Sequence, residues 1–402
     1  MARLRTVAVV LVVAVAAFYL GSLVEFHYGG YAPDWVKTVL LYRPPTRDLD
    51  LQGLEEVFQT IQQHYLKPNA DGHKLTEGAA SGMVGALNDP FSRYLTPEEY
   101  ALNQTFLQGS FGGIGASVLE KGTVLQVDSI LPGTPAQRAG LQVGDIITTV
   151  DGQSTQGWTA DQAVARIRGK VDTHVVLGID RNGQPLTLDL VRKVITVASV
   201  AAHVFDNQVL YVRIFDFGDR TSAEFDSALK DNLKGPVNRV LLDLRDNPGG
   251  FVDAANDVLS EFIRSGTTTI LVQRGAKEEV RTVSGTGRAF DARLVVLVNE
   301  NTASASEITA GAIKDHSRGV LVGTKTFGKG SVQQDFLVRD GDLHLTIAHW
   351  LTPNRHSIEK NGIVPDDEVK LANTTDEYAI DRAPNDFSKD TQLAEGLKVL
   401  ER

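Results

Sequence analysis

Cysteine is absent from the 402 residues, which excludes disulfide frameworks, thiolate metal sites and cysteine nucleophiles together. A chain without thiols also suits a compartment where a stray thiol would be oxidised. Basic clusters are lacking. Forty Lys and Arg stand against fifty Asp and Glu, a net charge of −10, and no block is dense enough to read as a nucleic-acid footprint. A GxSxG elbow is missing as well, which argues against a hydrolase built on that turn. What the chain has is globular content, with 42% apolar residues, 37 glycines and length for two or three domains.

Arg3 and Arg5 precede residues 6–24, nineteen positions without a charge. A signal-peptide core runs to ~7–15 residues and a membrane-spanning helix needs ~20, so the run falls near the spanning class. Residues 1–25 are expected to form an uncleaved anchor in preference to a cleaved signal. The positive residues stay cytoplasmic, and everything that follows is sent to the periplasmic or other extracytoplasmic side.

Four segments follow. Residues 48–108 show apolar positions spaced by three and four and predict a helical segment. Residues 111–192 break into short β-rich runs with glycine turns and one helical stretch, TADQAVARI, as a compact β domain would. Residues 194–370 alternate strands such as RVLLDLR and LVVLVNE with helices such as DAANDVLSEFI and SASEITAGAIKD. Unalternating apolar strands between helices predict an α/β core with mainly parallel pairing. Residues 371–402 form a polar tail with a short terminal helix, a docking or oligomer element and not a site.

Open parallel sheets place ligands beyond the carboxyl ends of their strands. Two loops fall there: DNPGG at 246–250 and NTAS at 301–304. Paired glycines let backbone N–H groups approach a developing oxyanion, and Ser304 opens a helix whose dipole favours negative charge. The tetrapeptide SASE at 304–307 also fits a capping box, and Thr302 and Ser306 are nucleophilic types of equal standing, so local sequence does not choose among them. For a base, His316 lies at the far end of the same helix. Lys329, between two glycines after the strand GVLVG, serves if burial keeps it neutral. GxxxxGK at 323–329 imitates a phosphate loop but lacks the following Ser or Thr and runs into a strand-like SVQQDFLV. His344, His349 and His356 fail as a metal set, since the first two face opposite sides of a strand.

These motifs, in order, resemble the carboxyl-terminal processing peptidases, or tail-specific proteases. The resemblance runs from about Asp48 to the end and is carried by GMVGALNDPFSRYLTPEEY, FGGIGASV, PGTPAQRAGLQVGDIITTVDG, LLDLRDNPGG, NTASASEI, GTKTFGKGSVQQ and LTPNRHSIEKNGIVPDDEV. It implies an α/β serine-protease core with a parallel or mixed sheet, an inserted β-rich PDZ domain, an N-terminal helical segment and the N-terminal anchor or signal. It further implies that Ser304 is the nucleophile, Lys329 the general base, Gln333 the residue that orients the lysine, and Asp315 a structural acid. The oxyanion donors would be the N–H of Ala305 and of either Gly249 or Gly250. Gly112, Gly113, Ile114 and Gly115 would capture a free chain terminus, with Ala163, Val164 and Ile167 lining the groove. Arg168 would couple peptide binding to the catalytic lysine.

The substrates implied are proteins and peptides presenting a free C-terminus; no metal or organic cofactor is required. An activating or adaptor protein, self-association and N-terminal membrane attachment complete the expected partners. A catalytically idle PDZ scaffold is the competing reading. Arg355-His356 departs from the small residue the family carries before Ser-Ile, which bears on subsite preference.

Overall fold

The computed structural model describes residues 50–67, 70–107, 109–206, 208–339, 341–373, 376–378 and 387–402. The expected anchor at 6–24 lies outside them, and among the described residues no helix is long and apolar enough to cross a membrane. The chain divides into two compact units, 1–76 and 77–402. In the first, Asp50 starts the helix Leu51–His64 by accepting the Gly53 N–H at 2.8 Å. Leu51, Leu54 and Phe58, on one face of this helix, stay exposed.

The second unit centres on a six-stranded sheet in the order Val200–Val204, Val209–Ile214, Arg239–Asp243, Arg293–Val298, Val320–Gly323, Asp367–Glu368. Only the first pair is antiparallel. Its strands are apolar at successive positions because both faces are covered. Leu210, Val212, Leu242 and Val296 point to one side, where they pack with Phe225, Phe262 and Ile308 of three helices. Tyr211, Leu241, Val295 and Leu297 point to the other, where Leu393, Leu397 and Leu400 of the terminal helix Thr391–Glu401 close the core.

One strand departs from the expected pattern. Thr267–Gln273 leaves the parallel sheet for a separate antiparallel one, pairing with Glu278–Thr282 and with Gly341–Leu351, which also takes up Ser331–Val338 and Arg93–Leu95. A turn at Gly275 (φ +78°) supplies an antiparallel partner within a few residues, where a parallel one would need a long crossover.

Between these parts, residues 116–191 build a small domain with its own core of Leu125, Ile147, Leu177 and Leu190. Its sheet runs Ala116–Lys121, Val124–Ile130, Ile146–Val150, His174–Arg181, Gln184–Val191, with the helix Ala160–Ile167 capped by Thr159 and Gln162. Chain entry and exit pair as a ribbon, Ser110–Gly113 against Lys193–Thr196. A Cβ on Gly112 would lie 2.0 Å from the Gly169 carbonyl oxygen, so only glycine fits this junction.

Candidate active site

Three loops leave the carboxyl ends of neighbouring parallel strands and converge. The first, DNPGG, follows Arg239–Asp243; the second ends at Ser304 after Arg293–Val298; the third reaches Lys329 after Val320–Gly323. Asn247 ties the first to the second: its side-chain amide donates to the Ile214 carbonyl at 2.8 Å, while its own carbonyl accepts the Ala303 N–H at 3.0 Å. The Phe327 N–H donates to the Thr302 carbonyl at 3.0 Å and joins the third.

The structure separates the three candidate hydroxyls. Thr302 and Ser306 are fully buried and donate to the Leu244 and Asn247 carbonyls at 2.8 and 3.1 Å. Ser304 is half-exposed and stands at φ +55°, ψ −118°, a conformation costly for a non-glycine residue and found where a site imposes it. A Cβ on Gly249 would fall 2.7 Å from the Ser304 Cβ and 2.9 Å from the Ala305 nitrogen, so the glycine loop lies directly against the serine. The Gly249 N–H is already given to Asn247 Oδ1 at 2.9 Å. Among the described residues the N–H groups of Gly250 and Ala305 have no acceptor, so these two are free to receive an anion.

Glu307 explains how the second and third loops are held. Its carboxylate is fully buried and accepts four donors: Thr326 Oγ1 at 2.6 Å, and the N–H groups of Gly328 at 2.7 Å, Ser304 at 2.9 Å and Lys329 at 2.9 Å. Burial pushes its carboxyl above the usual range, and those four bonds favour the charged form. Sequence reasoning took Glu307 only as the far end of a capping box; its distance from Lys329 along the chain hid the second half of its role.

Lys329 is half-buried, and burial, aided by the positive charge of Arg93, lowers its amine below the ordinary lysine range, while Asp89, Glu307 and Glu359 oppose the shift. Lys329 and Ser304 line one cavity of about 560 Å³, with Ile308, Val332 and Trp350 as its apolar wall. No hydrogen bond joins Ser304 Oγ to Lys329 Nζ; the amine rests 5.0 Å from the Phe91 ring centroid. Gln333 lines the same cavity, yet its amide donates to Ser331 Oγ at 3.0 Å and Thr346 Oγ1 at 3.1 Å and not to the lysine. The expectation that Gln333 holds Lys329 is therefore not met in this conformation. A register shift between Val332 and Gln333 turns the strand between the two side chains.

Comparison with known proteins places this architecture. Residues 208–369 match peptidase family S41, residues 126–181 match a PDZ domain, and residues 42–99 match the activating protease CtpB N-terminal domain. The chain carries a peptidase family S41 domain and a PDZ domain. It is 39% identical over 320 residues to a "Probable CtpA-like serine protease" of Staphylococcus epidermidis, covering 79% of this chain and 65% of that protein. A counterpart from Staphylococcus aureus strain MSSA476 is 37% identical over 324 residues, covering 80% of this chain and again 65% of the relative. The chain thus spans just under two thirds of the length of these curated relatives. Among solved structures it resembles a photosystem II D1 C-terminal processing protease at 29% identity and a TM-score of 0.51, over 80% of this chain and 87% of that one.

In the PDZ domain, Ala116–Lys121 is an edge strand. Ile114 is buried, and Gly115 at φ +78° packs against Thr134, where a Cβ would meet the side chain at 2.4 Å. Gly112 and Gly113 belong to the ribbon and pair with Val194 and Lys193. Ala163 and Ile167 are buried in the domain core, which corrects their expected place on an open groove; Val164 alone of the three is half-exposed. The Glu120 carboxylate accepts the Ala160 N–H at 2.9 Å and bridges edge strand to helix. Arg168 stacks its guanidinium 4.0 Å from the Phe111 ring centroid, in the ribbon, and no bond links it to Lys329 or Gln333.

The remaining candidates fall into structural roles. His316 donates from Nε2 to the Thr267 carbonyl at 2.7 Å, at the opposite end of the helix from Ser304. Asp315 accepts the Asn354 N–H at 2.7 Å, and Arg355 pairs with Glu278. The stretch after GxxxxGK is the strand Ser331–Val338, not the helix a phosphate loop requires.

Proposed function

We propose that this chain is a serine endopeptidase of the extracytoplasmic space that captures substrate C-termini on its PDZ domain and cleaves by a Ser304/Lys329 dyad. The observation that carries the reading is the constellation at the strand ends: a half-exposed serine at φ +55°, unsatisfied N–H groups of Gly250 and Ala305 beside it, and a desolvated lysine in the same cavity. Ser304 Oγ attacks the scissile carbonyl while neutral Lys329 takes its proton. The Gly250 and Ala305 N–H groups receive the oxyanion, and the lysine returns the proton to the leaving amine. Water, deprotonated by the same lysine, then releases the acyl-enzyme. Attack requires the amine to leave Phe91 and reach the hydroxyl, a rotation of one flexible side chain, and Gln333 would meet it there. The edge strand Ala116–Lys121 offers unpaired backbone groups to an extended peptide. The name of the D1-processing relative speaks of the same chemistry at a C-terminus.

Residues 6–24 would tether the enzyme to the membrane, and the exposed apolar face of Leu51–His64 offers a surface for self-association or an activator.

The test is cleavage of an unfolded protein with a free C-terminus by the wild type, Ser304→Ala and Lys329→Ala. The dyad predicts a rate loss of ~10⁴-fold or more in both variants. Equal, negligible cleavage by all three would favour the idle scaffold. Amidating the substrate's terminus is expected to slow cleavage; indifference to it would remove the PDZ domain from recognition.

A further inference from the structure

A short distance from Lys329, the hairpin of Ser331–Val338 and Gly341–Leu351 carries a polar row on one face. Gln333 pairs with Thr346, Asp335 with His344, and Leu337 with Asp342. Asp335, Asp342 and His344 bring one ligating atom each to within 4.8 Å of one another. Asp335 is engaged: His344 Nδ1 contacts its Oδ1 at 2.5 Å, and Gln104 Nε2 donates to its Oδ2 at 3.4 Å. Asp342 differs. It is 0% exposed, and neither carboxylate oxygen has a hydrogen-bond partner. A buried carboxylate without a donor is costly and lacks a positive charge or a proton.

We propose that Asp335, Asp342 and His344 form a site for a divalent first-row cation such as Zn²⁺. Two carboxylates and one imidazole are a mixed oxygen–nitrogen set that suits Zn²⁺ or Mn²⁺ better than the oxygen-only preference of Mg²⁺. Bonds of ~2.0–2.2 Å require the donors to close by about 1 Å, which side-chain torsions at a hairpin provide. His344 and Asp335 line the cavity shared by Ser304 and Lys329, so the cation would brace the strand that presents Gln333 one pairing step away. His344 does this with Asp335 across the hairpin and Asp342 on its own strand, not with the other histidines.

The experiment is calorimetric titration of the chelator-treated full chain, as the Ser304→Ala variant to prevent self-cleavage, with ZnCl₂, MnCl₂ and MgCl₂ at pH 7.5. One Zn²⁺ or Mn²⁺ should bind saturably, and adding Asp342→Asn or His344→Gln should each weaken it about 100-fold or more. No saturable uptake up to about 1 mM would overturn the site and leave Asp342 as a carboxylic acid beside Asp335. Uptake equal in the wild-type site and in Asp342→Asn would overturn it too.

Discussion

On the nucleophile side of the cavity each polar group is either committed to a partner or left free where a reacting oxygen would sit. Asn247 and Glu307 fasten the Ser304 turn, while the Gly250 and Ala305 N–H groups stay open. On the Lys329 side the same cavity holds Lys329 leaning on Phe91 and Gln333 turned to Ser331 and Thr346, with the unpartnered Asp342 on the hairpin beyond it. Under the proposed mechanism the first side would be preorganised for the tetrahedral intermediate, while the second would have to rearrange. Oxyanion stabilisation depends on fixed dipoles that cost no reorganisation during reaction, whereas a lysine side chain can swing into place when a peptide arrives. Arg168 stacks on Phe111, with no bond to Lys329 or Gln333.

The sharpest way to break this contrast is to disturb the residue that joins the two sides. Glu307→Ala leaves four donors without an acceptor, two of them buried at ~1–3 kcal/mol each, so a loss of at least about 2 kcal/mol is expected in denaturant unfolding. Glu307→Gln keeps the volume but turns an acceptor into a donor. It should fold and lose about 100-fold in kcat, with KM less affected. A Gln variant of full activity would mean that the clamp does not position the serine and lysine.

Asp342 tests the base side with the opposite sign. Its carboxyl is raised from an ordinary 3.8 to about 6, so the native state binds the proton more tightly than the unfolded chain. Stability from this group is whole below pH ~4 and is lost as pH rises through about 6. Asp342→Asn should therefore stabilise the metal-free protein by about 3 kcal/mol at pH 7.5 and by almost nothing at pH 3.5. A gain of the same size at both pH values would point to packing and not to charge.

Much of this was legible in the sequence because it is local. The unalternating RVLLDLR and LVVLVNE identified strands covered on both faces, and the loops after them identified the strand ends where Ser304 sits. What local sequence left open was the choice among Thr302, Ser304 and Ser306, and between Gly249 and Gly250. Burial and hydrogen bonds to distant carbonyls set Thr302 and Ser306 apart from Ser304, and the Asn247 side chain takes up the Gly249 N–H and leaves that of Gly250 free. The mainly parallel expectation missed the antiparallel sheet of Thr267–Gln273, because one of its partners, Gly341–Leu351, lies some eighty residues away. The Asp335–Asp342–His344 cluster escaped for a related reason: each residue looks like an ordinary polar strand position until the hairpin register is known.

Lys329 offers a subtler probe. Burial and Arg93 lower its amine, so the rising limb of kcat/KM against pH should lie below the ~10.4 of free lysine. Arg93→Gln removes one cause and should move that limb to higher pH, while Ser304→Ala leaves no limb to measure. A limb unmoved by Arg93→Gln would leave burial as the sole cause.

The smallest effect is expected at Gln333, and it bears directly on whether the base side rearranges. In the resting structure this amide supports only Ser331 and Thr346, two partially solvated hydroxyl bonds worth about 1 kcal/mol each at most. If the resting geometry were also the working one, Gln333→Ala would cost a little stability and leave turnover alone. If Gln333 meets the lysine once peptide is engaged, kcat should fall about tenfold while KM stays near its original value, because the lost interaction is made only on the way to the transition state. Gln333→Glu sharpens the distinction. A carboxylate near the amine would favour its charged form and shift the rising limb of the profile to higher pH, an effect a purely structural glutamine cannot produce. A fall in KM-limited rate alone, with kcat and the limb unchanged, would assign Gln333 to the substrate channel and leave Lys329 to act unsupported.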